Sequence, residues 1–284
     1  MASIRLDCQP FVSAEWAALD NCQMPGTRAG GPAPCTLDKC THVVQIVLFT
    51  SQGFTVSDSI IIQQPSQTAQ QLLVLHHGVG GGAQDMVPLG QHLAGQFPNA
   101  FIVSVHAPYA YDASDTTDAS DVGAQWFSVQ GITEENRPAR VLEAMPAFIH
   151  NLRYWQQHSG VEPTATAILG FSQGAIMALE SAQAEAGLAA RIVALSGRYA
   201  QLPTQAPEKT TLHFIHGKSD PVIHYGHCVS AAERLVGLGG DVTADVIPFL
   251  AHQINAEVMA MVVERFTGHI PKHQWEEVQK AAAQ

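Results

Sequence analysis

A serine framed by two glycines, Gly170-Phe171-Ser172-Gln173-Gly174, stands where an apolar run gives way to an amphipathic one. Those residue types suit a nucleophile held on a sharp strand-to-helix turn. The turn forces the serine into a strained backbone conformation, and small flanking residues let neighbouring backbone pass close by. The flanks agree with this. Thr164 to Leu169 is short and apolar, is bounded upstream by Gly160 and Pro163, and predicts a buried strand. Ala175-Ile176-Met177-Ala178-Leu179 continues toward Gly187 with strong helix formers.

A serine hydroxyl is a poor nucleophile until a base takes its proton, and the base needs an acid to orient it. On a strand-turn-helix frame the expected chain order is Ser, Asp, His. Both partners follow. Leu212-His213-Phe214-Ile215-His216 predicts another buried strand, with Asp220 in the loop just beyond it. The alternating segment from Val242 to Phe249 leads through Leu250-Ala251 to His252, at a second strand-to-helix corner. Alone, an Asp before a Pro is a common turn starter, and one of 14 histidines carries little weight. Three candidates at strand ends in the expected order point to a Ser172, Asp220, His252 triad.

A further element concerns the developing negative charge. Leu72 to His77 predicts a buried strand that runs into Gly78-Val79-Gly80-Gly81-Gly82. Glycines there let the backbone turn its amide hydrogens toward an oxyanion, and the backbone N–H groups of Val79 and Gln173 are the expected donors. A phosphate loop is disfavoured, since no Lys-Ser/Thr pair follows and the glycines do not match a dinucleotide fingerprint.

Together, L-H-H-G-V-G-G-G, the Q-W-F-S-V-Q-G-I-T segment at 125–133, G-F-S-Q-G, H-G-K-S-D-P-V and the late His252 resemble the phospholipase/carboxylesterase family of α/β-hydrolases, which includes acyl-protein thioesterases. The likeness spans roughly residues 57–275 and is nearest to the small bacterial cytosolic esterases of that family. It implies an α/β-hydrolase fold and hydrolysis of carboxylic esters with short acyl chains, without cofactor or metal. Longer acyl chains, as for a thioesterase or lysophospholipase, are the alternative, and a noncatalytic scaffold is the reading from a different class. Ala251 departs from the glycine that many relatives carry before the catalytic histidine. The resemblance also places Trp126 and Phe127 beside the active site, where they are expected to wall the acyl pocket, with plain core packing as the alternative.

The positioning elements follow from periodicity. Strands are predicted at 57–63, 71–77, 100–105, 164–169, 191–196, 211–216 and 242–248, and helices at 85–96, 134–158, 173–186, 222–237 and 253–267. This alternation calls for a mostly parallel central sheet covered by helices on both faces. Thr133 is expected to cap the second helix, whose buried stripe is Val141, Met145, Phe148, Ile149 and Leu152. The stretch at 106–132 is too long for a plain connector. Its Asp112, Asp115, Asp118 and Asp121 lack the glycine and terminal Glu of a calcium loop and predict a solvated acidic surface.

With 284 residues and 46% apolar content the chain can bury one large core, expected at 56–284 as a catalytic domain behind an N-terminal extension at 1–55. Cys8, Cys22, Cys35 and Cys40 fall in that extension without a C-x-x-C pair, which disfavours zinc; a Pro- and Gly-rich disordered tail, or translation starting near Val56, are the other readings. A net charge of −11 without clustered Lys and Arg argues against nucleic acid. No run reaches a membrane span and the start lacks a signal-peptide pattern, so a cytoplasmic location and a small-molecule ester partner are expected, with the oligomeric state open.

Overall fold

The computed structural model describes residues 58–113 and 123–282, so the expected extension with its four cysteines, and Asp115, Asp118 and Asp121, lie outside the described residues. The central sheet has seven strands: β1 (Ile60–Gln63), β2 (Gln71–His76), β3 (Ala100–Val105), β6 (Thr166–Phe171), β7 (Arg191–Leu195), β8 (Thr211–Gly217) and β9 (Asp241–Ile247). They lie in the order β1-β3-β2-β6-β7-β8-β9. Every pairing is parallel except β1 with β3. Parallel strands are covered on both faces and so read as continuous apolar runs. Along β2, side chains alternate between two cores. Leu72 and Val74 pack under α2 (Arg137–Ser159), α3 (Gln173–Ala184) and α4 (Gly226–Gly237). Leu73 and Leu75 pack under α1 (Val87–Ala94) and α5 (Ala256–Gly268).

Several helix starts fall later than the periodicity predicts, and the cause is side-chain competition for the first backbone amides. The Asp220 carboxylate accepts the N–H groups of Val222 and Ile223, 2.8 and 2.9 Å away, which holds that segment in a turn and delays α4 to Gly226. Asn255 caps α5 by accepting the Val258 N–H at 2.9 Å, so His252 remains on a loop. For α2 the capping position is Asn136 rather than Thr133, the two residues bonding reciprocally ahead of a helix that starts at Arg137-Pro138. Its stripe of Val141, Met145, Phe148 and Leu152 is buried as the spacing predicts, and Gly160 ends it at φ 70°.

Two features have no counterpart in the sequence-based expectation. Within the long stretch, β4 (Tyr109–Ala110) pairs antiparallel with β5 (Ala124–Gln125). Beyond α5, α6 (Lys272–Ala282) adds a helix with no buried residue.

Candidate active site

The parallel sheet sets all the candidate groups at one rim, because each follows the carboxyl end of a strand: the Gly78 loop after β2, Ser172 after β6, Asp220 after β8 and His252 after β9. Ser172 has φ 54° and ψ −115°, a conformation that L-residues avoid at a cost of about 1–3 kcal/mol. Neighbouring backbone holds it there. Its N–H donates to the Leu195 carbonyl at 2.9 Å, and its own carbonyl accepts from Ala175 and Ile176 in the first turn of α3. The flanking glycines are sterically required. A Cβ on Gly170 would run into the Gly174 carbonyl group, and one on Gly174 into the carbonyl oxygens of His76 and His77.

His252 Nε2 lies 2.9 Å from Ser172 Oγ, and its Nδ1 lies 2.7 Å from Asp220 Oδ2. A carboxylate can only accept, so the proton sits on Nδ1 and the lone pair of Nε2 faces the serine hydroxyl. The Phe171 ring packs 4.8 Å from the imidazole, centroid to centroid, and limits its swing. Burial by itself would raise the Asp220 carboxyl. The hydrogen bonds from His252, Ile223 and Val222 outweigh it and hold the group below the usual carboxylate range. Thus Asp220 stays ionised next to the His252 imidazole. His216 completes this shell. It is buried, its Nε2 donates to the Ile223 carbonyl at 2.8 Å, and it lies 3.3 Å from Asp220 Oδ2. Burial lowers its pKa, so it is neutral beside the carboxylate, with its one N–H directed at the Ile223 carbonyl. His216 opens the H-G-K-S-D-P-V motif, and its place four residues before Asp220 at a strand end is the sequence signal for this position.

The Gly78–Gly82 loop is stitched to β5. Gly80 N–H donates to the Ala124 carbonyl at 2.8 Å and Ala124 N–H to the Gly81 carbonyl at 2.7 Å. Among the described residues, neither Val79 nor Gln173 spends its backbone N–H on an internal acceptor. The Gln173 side chain ties the elbow to the same segment, since Oε1 accepts from Trp126 N–H at 2.8 Å and Nε2 donates to the Phe127 carbonyl at 2.7 Å. One segment therefore braces both the glycine loop and the start of α3. A Cβ on Gly123 would overlap the Gly80 carbonyl oxygen. Gly123→Ala is accordingly expected to displace the loop and lower kcat by about 10²-fold, the scale of one lost oxyanion donor, with a much smaller change in KM. Steady-state kinetics on a soluble ester checks this.

Of the two aromatic residues expected at the pocket wall, only Phe127 lines the cavity. Trp126 belongs to the core. Its Nε1 donates to the His77 carbonyl at 2.8 Å and its ring packs edge-on to Phe148 at 5.4 Å, because an indole with its N–H satisfied is best placed inside. Ser172 and Gln173 open into a cavity of about 410 Å³ whose apolar lining includes Val79, Phe127, Ile176 and Ile223. Glu134, Arg137 and Arg198 also face this cavity, and none of them was marked by a motif. A larger hollow of about 620 Å³ lies around the starts of β2, β6 and β7, at the opposite end of the strands from Ser172.

Fold and site together place the chain among carboxylic ester hydrolases built on an α/β-hydrolase frame. It belongs to the phospholipase/carboxylesterase family, whose model matches residues 57–270. Esterase YpfH of Escherichia coli is 49% identical over 220 residues, covering 78% of this chain and 92% of that protein. Acyl-protein thioesterase 1 of Gibberella zeae is 27% identical over 146 residues, 46% of this chain and 62% of that protein. Among solved structures, esterase PE8 superposes with a TM-score of 0.64 at 25% identity, covering 73% of this chain and 97% of that one. No helix among the described residues is long and apolar enough to cross a membrane.

Proposed function

We propose that the chain is a serine carboxylesterase acting on small or short-chain acyl esters, with Ser172 as nucleophile, His252 as general base and Asp220 as its orienting acid. The observation that carries this reading is the unbroken relay from Ser172 Oγ to His252 Nε2 at 2.9 Å and from His252 Nδ1 to Asp220 Oδ2 at 2.7 Å. His252 takes the serine proton as Oγ attacks the ester carbonyl, and Asp220 stabilises the resulting imidazolium. The carbonyl oxygen, now negative, is met by the N–H groups of Val79 and Gln173. Collapse expels the alcohol, which takes the proton from His252. Water, deprotonated by His252, then attacks the acyl-enzyme and frees the acid. These steps call for neither a metal nor a cofactor, and the partner is a small-molecule ester.

The size preference rests on the cavity. A volume of about 410 Å³ with Glu134, Arg137 and Arg198 on its wall suits a short acyl group, because laying a long alkyl chain over charged groups would strip their water without replacing it. With 4-nitrophenyl esters, kcat/KM is expected to peak at about two to six acyl carbons and to fall at least about tenfold by twelve, as the cavity stops supplying favourable contacts. A rate that keeps rising with chain length, or a preference for matched long-chain thioesters, would favour the thioesterase or lysophospholipase reading instead.

A further inference from the structure

The cavity that holds Ser172 carries more positive than negative charge, in a chain whose overall net charge is −11. Glu134 is the acidic side chain on its described wall, and two guanidinium groups share it. Arg198 grips it through both nitrogens, Nη2 to Oε2 at 2.7 Å and Nη1 to Oε1 at 3.2 Å, while Arg137 Nη2 reaches Oε1 at 2.9 Å. The arginine side chains are only 18% and 14% exposed for Arg137 and Arg198, whereas Glu134 is 60% exposed. His227 adds no charge of its own, since burial followed by the Arg198 guanidinium lowers its pKa, and its Nε2 faces Arg198 Nη1 at 3.3 Å. Moreover, Arg137 Nε is buried without a hydrogen-bond partner. A buried guanidinium N–H left unpaired costs free energy, so Arg137 sits on this wall with hydrogen-bonding capacity that Glu134 does not fill. A substrate carboxylate would balance the surplus charge by sharing these guanidiniums with Glu134, since the Arg198 fork is already closed on that residue and its Nε donates to the Tyr199 carbonyl at 3.1 Å.

We propose that the preferred substrate is a short ester that itself bears a carboxylate, held by Arg137 and Arg198 while Ser172 attacks. This rests on the serine-esterase reading and narrows its substrate class. The apolar part of the wall, Phe127, Ile176 and Ile223, accommodates the few methylenes between the ester and the carboxylate. The reaction is unchanged in balance: water is consumed at the acyl–oxygen bond, and the acid and alcohol are released.

The test compares pairs of esters matched in length, one member ending in a methyl group and the other in a carboxylate. One set carries the carboxylate on the acyl side, as hemisuccinate, hemiglutarate and hemiadipate esters. A second set carries it on the alcohol side, as short-chain esters of hydroxy acids. Wild type is expected to favour the anionic member at least tenfold in kcat/KM at one length in one set, which also tells the side on which the carboxylate sits. Arg137→Gln and Arg198→Gln should each cut that anionic-to-neutral ratio about tenfold, and Glu134→Gln, which removes the competing negative charge, should raise it severalfold. That opposite sign is one a merely structural clamp would not produce. Arg153→Gln, an exposed position paired with Glu185, should leave the ratio as it is. A wild-type ratio at or below one in both sets, or arginine variants that lower both members of a pair equally, would overturn the proposal. Those results would leave the esterase reading standing as long as the neutral esters are hydrolysed and Ser172→Ala stops it. Hydrolysis that survives Ser172→Ala would sink the underlying reading instead.

Discussion

Ser172→Ala is expected to lower kcat on a soluble short-chain ester by about a millionfold, the scale seen when a triad nucleophile acting in concert with its base is removed. The reason is geometric. Ser172 Oγ sits 2.9 Å from His252 Nε2 at the rim of the sheet, and its replacement leaves His252 and Asp220 with no atom to activate. The variant should remain folded, because the strained φ of 54° is imposed by backbone bonds to Leu195, Ala175 and Ile176 that a methyl side chain leaves in place. Stability within about 1 kcal/mol of wild type is expected by urea denaturation, as active-site serines are kept for function rather than packing. Asp220→Asn should be milder, about 10⁴-fold, since the imidazole then settles in the wrong tautomer. Equal losses of kcat and of fold in Ser172→Ala would mean that the serine is structural.

The second large effect is on stability in mild acid. His76, His77 and His213 are fully buried, and burial lowers their pKa values from 6.5 to about 3, 4 and 3 respectively. In the unfolded chain these imidazoles titrate near 6.5, so between that pH and about 4 the unfolded state binds more protons than the native one. Stability is therefore complete above about pH 6.5 and is lost progressively as the pH falls toward the folded values. Three such groups amount to a loss on the order of 5 kcal/mol between pH 7 and 5, comparable with the whole stability of an ordinary domain. Carboxylates such as Asp220 and Asp241, held below their usual range, add to the loss only at lower pH. Urea midpoints at pH 7.5, 6 and 5 should drop steeply, and His213→Gln should flatten the slope by about a third. A flat profile down to pH 5 would show that these histidines are not kept neutral by the fold.

Much of this arrangement was legible in the sequence because the physics that fixes it is local. A parallel strand covered on both faces must be apolar throughout, which made β2, β6, β7 and β8 plain, and a glycine-framed serine at a strand end needs no tertiary information to stand out. What stayed hidden depends on distant partners. The two-residue strands β4 and β5 are too short to carry a periodic signal, and α6 presents no buried stripe. Trp126 and Phe127 are neighbours with different fates, core and cavity, decided by whether the indole N–H finds the His77 carbonyl. Gln173 was expected to contribute only its backbone, yet its side chain braces residues 47 and 46 positions away. The charged wall brings together Glu134 and Arg137 at the start of α2 with Arg198 beyond β7, a meeting that exists only once the sheet has formed.

The measurement that bears most directly on the central claim is covalent labelling with a fluorophosphonate, followed by peptide mass spectrometry of the folded protein. A fluorophosphonate reacts with a serine whose proton is being withdrawn and ignores ordinary surface hydroxyls. A single adduct on Ser172, absent from Ser172→Ala and formed far more slowly in Asp220→Asn, is the predicted result. Protein that hydrolyses esters while carrying its adduct on another residue, or that resists the probe altogether, would contradict the assignment of Ser172 as the nucleophile.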